Sequence, residues 1–427
     1  MSKDNFELSD LAINGGRPSR TIPDPAIYPG GMLIGEEEEQ AVVEVIRSKR
    51  LFRYYGPNPG PSRAEQLEQE FGKYTGAEFT LAVTSCTAAL ICGLHGLQVG
   101  PGDEVIVPAY TWIATAEAVL AVGAVPVVAE VDDTLTLDPN DIERHISAHT
   151  KAIIVVHMRG VPAQMDEIMA VSQKHSIPVL EDVAQANGAT YHGVKLGAIG
   201  AVGCFSLQFN KVITSGEGGL VITNNREIWK RAVMYHDPVA GRRYEIPDDE
   251  TLWGVNFRMP ELTAAVALVQ LRKLNGLLDL LRARKQMLVE GLAPTLRSSG
   301  ISFQRQSDPK GDNAVALILL ARDRSQALRL THALSAENIG ASVIFHPDVN
   351  DYHIYMHWIP IVNHRQWSGD SGPWQWAHNI PQYTPDMCPK TLELLGRTIH
   401  LNINPLSTNQ DIEETIEGFC KVISLLA

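Results

Sequence analysis

From about residue 64 to 225 the chain alternates between short, wholly apolar runs and longer stretches whose apolar residues recur at helical spacing. SRAEQLEQEFGKYTG predicts a polar-faced helix with Leu67 and Phe71 a turn apart, ended by glycine. FTLAVTSC predicts a strand that runs into the helix TAALICGLHGLQVG. DEVIVP is a strand stopped by proline, and TWIATAEAVLAVG is a further helix. PVVAEV, AIIVVHM and PVLEDV read as more buried strands. Apolar strands separated by helical stretches of roughly 10–20 residues imply an α/β layer around a largely parallel sheet. In such sheets the ligand sits at the carboxyl ends of the strands, so the residues just after each strand matter most.

Beyond about residue 256 the texture changes. ELTAAVALVQLRKLNGLLDLLRARKQMLVEGL predicts a long helical region broken near Asn275–Gly276. NAVALILLA and the helix ALRLTHALSAENI then open a smaller α+β unit that runs to the C-terminus. A chain of 427 residues is too long for one ordinary core. The expected division is a leader over 1–35, a large domain over 36–270 and a small domain over 271–427.

Composition narrows the class. A net charge of −13, from 49 acidic against 36 basic residues, argues against a nucleic-acid or anionic-membrane surface. The longest apolar stretch, AVLAVGAVPVVA at 118–129, is shorter than the roughly 20 residues of a membrane span. It reads instead as a helix end, a turn and a buried strand. MSKDNFELSD has no secretory pattern. The five cysteines (86, 92, 204, 388 and 420) are odd in number and scattered, with no C-x-x-C pair. They indicate free thiols in a reducing cytoplasm rather than a disulfide frame or zinc site.

Three short stretches carry candidate chemistry. TSCT at 84–87 joins a strand to a helix, where its hydroxyls and N–H groups either cap the helix or bind an anion. EDVAQA places Glu181 and Asp182 directly after an apolar strand, as a helix cap, a metal ligand or a cofactor partner. CFSLQFNKVITSGEGGLVIT sets Lys211 between two apolar pieces, just before a glycine turn. An ammonium there must reach water, find a counter-charge or give up its proton. Together the three meet the needs of pyridoxal 5′-phosphate. Its phosphate needs N–H and hydroxyl donors, its pyridine nitrogen a carboxylate, and its aldehyde an amine that a desolvated site keeps partly deprotonated.

With these stretches in place, the chain resembles the DegT/DnrJ/EryC1/StrS sugar aminotransferases of aminotransferase fold type I, over roughly residues 28 to 425. The resemblance rests on LEQEFGKYTGAEF, SCTAALICGL, PGDEVIVPAYTWIATAEAV, VVHMRGVPAQMDEI, LEDVAQANGATYHGVKLGAIG, FSLQFNKVITSGEGGLVITN and GVNFRMPELTAAVALVQL. It implies that Lys211 is the Schiff-base lysine and the proton relay. It further implies that Asp182 partners the pyridine nitrogen and that Gln185 lies near the cofactor's phenolic oxygen. Ser206, and Ser85 and Thr87 with the Cys86 backbone, would hold the phosphate. The family usually has glycine where this chain has Cys86. Trp112 would stack on the ring, and Asn256 would reach the phosphate of a neighbouring subunit's cofactor, so that a homodimer shares its sites. Family dehydratases carry histidine in place of the lysine, and Lys211 therefore implies amino transfer.

The donor implied is glutamate, with glutamine as the other choice. The leader LAINGGRPSRTIPDP resembles that of members acting on cyclitols and free sugar acids. An 8-oxo-octulosonate, giving an 8-amino sugar for surface polysaccharide or lipopolysaccharide, is one named acceptor; a nucleotide-linked keto-sugar is the alternative. Arg242 and Arg243 either bind a carboxylate or phosphate or form a solvated surface pair. His346 opens a segment that holds four tryptophans (358, 367, 374 and 376) and His353, His357, His364 and His378. Its proline- and glycine-broken context favours a sugar-facing loop or an aromatic core over a metal site on His353 and His357. Two other classes stand beside this reading: an inactive pyridoxal-phosphate-binding regulator and a plain amino-acid aminotransferase.

Overall fold

Local signals set the helix ends. In the computed structural model, which describes residues 6–57 and 60–427, Ser62 caps the helix α1 (Arg63–Thr75) by accepting from Glu65 N at 3.0 Å. Gly76, at φ 79°, closes it in the left-handed conformation. Leu67 and Phe71 are buried, as their spacing predicts. The strands β1 (Phe79–Val83), β2 (Glu104–Pro108), β3 (Val125–Ala129), β4 (Thr150–Val156), β5 (Val179–Asp182), β6 (Val202–Ser206) and β7 (Gly219–Thr223) form one sheet in the order β1-β7-β6-β5-β4-β2-β3. β7 is antiparallel to both neighbours, and the other pairs are parallel. The strands are almost wholly buried, as expected where helices cover both faces.

A smaller three-stranded antiparallel sheet (Ser302–Phe303, Ala316–Leu320 and Thr398–Asn402) follows, with NAVALILLA as its central strand. The helix Glu261–Leu296 joins the two regions. The expected break near Asn275–Gly276 is absent: the helix runs unbroken for 36 residues, about 54 Å. A helical glycine costs about 1 kcal/mol. Burial of Leu274, Leu277 and Leu278 on either side of Gly276 outweighs that cost. No helix among the described residues is long and apolar enough to cross a membrane.

The leader, whose first five residues lie outside the described residues, is tied to the C-terminal region by polar contacts. The Glu337 carboxylate, fully buried, accepts from Ala12 N at 2.9 Å and Ser19 N at 2.8 Å and pairs with Lys421 at 2.7 Å. Lys421 Nζ also donates to the carbonyls of Asp10 and Arg17 at 3.1 Å. Removing the Glu337 carboxylate leaves the buried ammonium without its counter-charge and two N–H groups unpaired. Glu337→Ala is therefore expected to cost about 3 kcal/mol, read as a lower melting temperature together with new proteolytic cleavage in the leader. An unchanged melting temperature and cleavage pattern would mean that these bonds do not hold the leader.

Candidate active site

Five strands deliver side chains to one edge of the large sheet. Ser85 follows β1, Trp112 follows β2, Met158 follows β4, and Asp182 and Ser206 end β5 and β6. Ser85, Cys86, Thr87, Trp112, Asp182, Gln185, Ser206 and Lys211 line a single cavity of about 450 Å³ there. Ser85 caps the helix α2 (Cys86–Gly96), its Oγ accepting from Ala88 N at 3.1 Å. The Cys86 and Thr87 N–H groups belong to that helix's first turn, which has no acceptors within the helix. β7 starts directly beneath this turn. A Cβ on Gly219 would lie 2.3 Å from the Ser85 carbonyl oxygen, so only glycine lets the strand pass.

Strand alternation separates the two adjacent acids. The Glu181 carboxylate turns away from the cavity and accepts from the N–H groups of Gly197 (2.8 Å), Ile199 (2.8 Å) and Gly200 (2.6 Å). His157, whose Nδ1 accepts from Ala163 N, donates from Nε2 to the same carboxylate at 3.1 Å. Glu181 is thus a structural anchor. Asp182 faces the cavity, with Oδ1 accepting from Ala184 N at 3.0 Å and Oδ2 from the Thr115 hydroxyl at 2.9 Å. Thr115 is in turn 2.8 Å from the Thr111 hydroxyl. Burial raises the Asp182 pKa above the usual carboxylate value, against the pull of these bonds and of Lys211.

Lys211 sits in the loop between β6 and β7. Burial lowers its pKa, the Cys86 and Asp182 groups opposing the shift and Arg159 adding to it. The amine is therefore closer to its neutral, nucleophilic form than a surface lysine. Burial pushes the Cys86 thiol well above its ordinary value, which keeps it protonated beside the helix terminus. Gln185 is oriented by its backbone neighbour: Oε1 accepts from Arg159 N at 3.1 Å, leaving the amide's N–H groups for the cavity. Trp112, 47% exposed, stands at the cavity wall with its ring 4.9 Å from that of His353.

Four of the residues singled out in the sequence lie elsewhere. Asn256 is exposed, and its Oδ1 accepts from Arg258 N at 3.3 Å. Arg242 is exposed, whereas Arg243 pairs with Asp237 at 3.0 Å and stacks 4.1 Å over the Tyr54 ring. His346 Nδ1 accepts from Asp348 N at 3.2 Å. None of the four lines this subunit's cavity. The tryptophan- and histidine-rich segment divides: Trp358 and Trp374 are core, Trp367 is fully exposed, and His353 reaches the cavity. His353 bonds Asp351 Oδ1 through Nδ1 at 2.7 Å, while His357 turns its Nδ1 to the Asp351 backbone. Thr115, Met158 and Glu217 line the cavity without being singled out by the sequence, where His353 is named only as one of a histidine cluster. Thr115 lies inside a predicted helix, and nothing distinguishes His353 among its histidine neighbours until the loop is folded.

The residues fit pyridoxal 5′-phosphate. Unpaired helix N–H groups with Ser85, Thr87 and Ser206 suit a phosphate. A dry carboxyl at Asp182 suits a pyridine N–H, and a desolvated amine at Lys211 suits the aldehyde.

Comparison with known proteins agrees. The model of the DegT/DnrJ/EryC1/StrS aminotransferase family matches residues 32–362. The L-glutamine:2-deoxy-scyllo-inosose aminotransferase of Streptoalloteichus tenebrarius is 39% identical over 310 residues, covering 68% of this chain and 71% of that protein. The spore coat polysaccharide biosynthesis protein SpsC of Bacillus subtilis is 31% identical over 408 residues, covering 92% of this chain and 95% of its own. The crystal structure of 3-amino-5-hydroxybenzoic acid synthase superposes with a TM-score of 0.77 at 26% identity, covering 95% of this chain and 100% of that one.

A carboxyl whose pKa is raised by folding stabilises the protein below its unfolded value, and that contribution is lost as pH rises through the folded one. Above that folded value the buried Asp182 carboxylate thus burdens the cofactor-free protein. Asp182→Asn is expected to raise the apoprotein's melting temperature at about pH 7–8, the gain closing towards about pH 4. A variant that melts lower than wild type across this range would show that the carboxylate is paired rather than stranded.

Proposed function

The chain belongs to the DegT/DnrJ/EryC1/StrS aminotransferase family, and we propose that it moves an amino group from L-glutamine or L-glutamate to the carbonyl carbon of a free cyclitol or sugar. It is a pyridoxal-phosphate-dependent transaminase of the sugar and cyclitol branch, with the α/β fold type I of these enzymes. The observation that carries the proposal is the pairing of a desolvated amine with a desolvated carboxyl in a cavity that opens onto a capped helix N-terminus. An inactive regulator would have no need to keep this pair dry.

The cofactor, when bound, supplies the aldehyde that takes up the amino group and a ring that accepts electrons from the substrate carbon. The chain's residues do the rest. Ser85, Thr87, Ser206 and the first-turn N–H groups of α2 hold the phosphate and so fix the ring's register. Asp182, oriented by Thr115 and the Ala184 N–H, would hold a proton on the cofactor's pyridine nitrogen. Lys211 Nζ, a desolvated amine in the cavity, would be the group that takes and returns the substrate carbon's proton. Gln185, its Oε1 taken by Arg159 N, would offer its N–H groups to the cofactor's phenolic oxygen, and Trp112 would shield the cavity from water. The same groups run the second half in reverse, which gives ping-pong kinetics.

Acceptor and donor are drawn from the relatives. One acts, by name, on glutamine and 2-deoxy-scyllo-inosose, and another serves a spore coat polysaccharide. A keto-cyclitol is the preferred acceptor, with an 8-oxo-octulosonate as the sugar-acid candidate. A homodimer with shared sites is part of the same proposal. Trp253 (76% exposed) and Leu252 (47%) leave apolar side chains exposed in the segment that carries Asn256. From there Asn256 would reach the neighbour's phosphate.

Two measurements test this reading. Lys211→Ala is expected to lose at least about 10³-fold in transfer rate and the absorbance of the attached cofactor, while keeping the wild-type mass in solution. A panel of keto-cyclitols, sugar acids and nucleotide-linked keto-sugars with both donors should show fastest turnover on a free cyclitol or sugar. Turnover confined to nucleotide-linked sugars, or to simple keto acids, would overturn the acceptor assignment.

A further inference from the structure

The leader meets the site at the loop that carries Lys211. That residue lies between β6 and β7, in neither helix nor strand. Its N–H donates to the Gln208 carbonyl at 3.0 Å, a bond within the loop's own turn. Its carbonyl accepts from Gly30 N at 3.1 Å, so the second hold on the lysine's main chain comes from the leader. The approach is close. A Cβ on Gly30 would lie 2.8 Å from the Val212 carbonyl oxygen, 2.9 Å from Ile213 Cα and 3.0 Å from Gln270 Oε1. Beside this contact the Tyr28 ring lies on Phe209, with centroids 4.8 Å apart and planes inclined by 30°. A Cβ on Gly31 would lie 2.8 Å from the Phe209 ring and 2.9 Å from that of Tyr28, so glycine leaves room for the stack.

The leader is itself anchored here. Gln270, buried on the helix Glu261–Leu296, accepts from Thr214 N of the loop at 3.4 Å and donates to Glu38 at 2.8 Å. Glu38, also buried, accepts from Gly35 N at 2.8 Å. Lys273 Nζ donates to Glu38 at 2.8 Å and to the Leu33 carbonyl at 3.1 Å. Residues 28–38 therefore cannot slide along the long helix without breaking buried polar bonds. The other side of the loop faces the cavity: Gln208, Asn210 and Lys211 line it, with Cys86, Asp182, Glu217 and His353 as the titratable groups around the amine. Tyr28, Gly30 and Gly31 do not line it.

We propose that Tyr28–Gly31 is a clasp that positions Lys211 for attachment of the cofactor. The inference rests on the reading of Lys211 as the amine that carries it. A lysine stem is flexible, so its root must be fixed if the amine is to stay at one point. The Gly30 N–H fixes the Lys211 carbonyl, and the Tyr28 ring on Phe209 keeps the 208–211 turn from rolling towards solvent. A misplacement of about 1 Å can cost about 10²-fold in rate. The clasp residues act through Lys211 and are positioning residues.

The test times cofactor attachment by the full chain before loading. Wild type, Tyr28→Ala, Tyr28→Phe and Gly30→Ala are mixed with pyridoxal 5′-phosphate, and the absorbance of the attached form is followed. Attachment joins Nζ to the aldehyde carbon and releases water. 4′-Deoxypyridoxine 5′-phosphate, which has the ring and phosphate but no aldehyde, is titrated by calorimetry. Tyr28→Ala and Gly30→Ala are expected to attach the cofactor about tenfold or more slowly and to bind the aldehyde-free analogue as wild type does. Tyr28→Phe keeps the stack and should attach at the wild-type rate. A wild-type attachment rate in Tyr28→Ala would overturn the clasp. So would equal weakening of the analogue, which would place the damage in the cavity as a whole. Should Gly30→Ala fail to fold, the two Tyr28 variants decide. A wild type that attaches the cofactor but transfers no amino group would instead refute the transaminase reading, and the attachment rates would still decide the clasp.

Discussion

Everything at the sheet edge depends on keeping one carboxyl and one amine out of water within the same cavity. Neither group is comfortable there: burial raises the pKa of Asp182 and lowers that of Lys211. The sheet accepts that burden because the carboxyl keeps two local donors, Thr115 and the Ala184 N–H, and because each group partly offsets the other's charge. In the proposed reaction that tension would be useful. A solvated lysine would be a poor nucleophile, and a solvated carboxylate could not hold a proton on a weakly basic ring nitrogen.

That cavity exists only because its back wall is rigid. Glu181 gathers three backbone N–H groups and His157, which fixes the 197–200 loop against β5 and leaves Asp182 no alternative direction. Gly219 lets β7 pass beneath the Ser85 turn, and Gly160 lets Asn313 close over the β4 exit. The segment around residues 351–355 completes the far wall by bonding to the exit of β2. Thr111 N donates to the His353 carbonyl at 2.9 Å, and Tyr355 N to the Ala109 carbonyl at 3.0 Å. The small C-terminal region is thus part of the site and more than a support for it.

Much of this was legible in the chain. Each apolar run read as a strand between 79 and 182 became one, because a short run buried on both faces carries its own signal independent of its partners. Ser62, Gly76 and Ser85 marked helix ends by chemistry local to the turn. Lys211, Asp182 and the TSCT turn were identifiable because each falls just after a strand, where a parallel sheet collects its ligands. The misreading at Asn275–Gly276 has a plain cause. Helix propensity is local, and the leucines that hold the helix straight contribute only once they are packed.

What the sequence by itself determined is therefore the strand and helix content, the sheet edge that carries the chemistry and the side chains that fit the cofactor. Tertiary structure alone decided which of two adjacent acids faces the cavity and which histidine of a cluster reaches it. It also decided that Arg243 is taken by Asp237, whereas Arg159 reaches the Tyr110 hydroxyl. The physical reason is the same in each case. A charged side chain's role depends on which partner lies within a few ångströms, and packing rather than any local pattern brings most of those partners: Glu181 meets Gly197 and His157, Arg159 meets Tyr110 and His353 meets Trp112 across 16, 24, 49 and 241 residues.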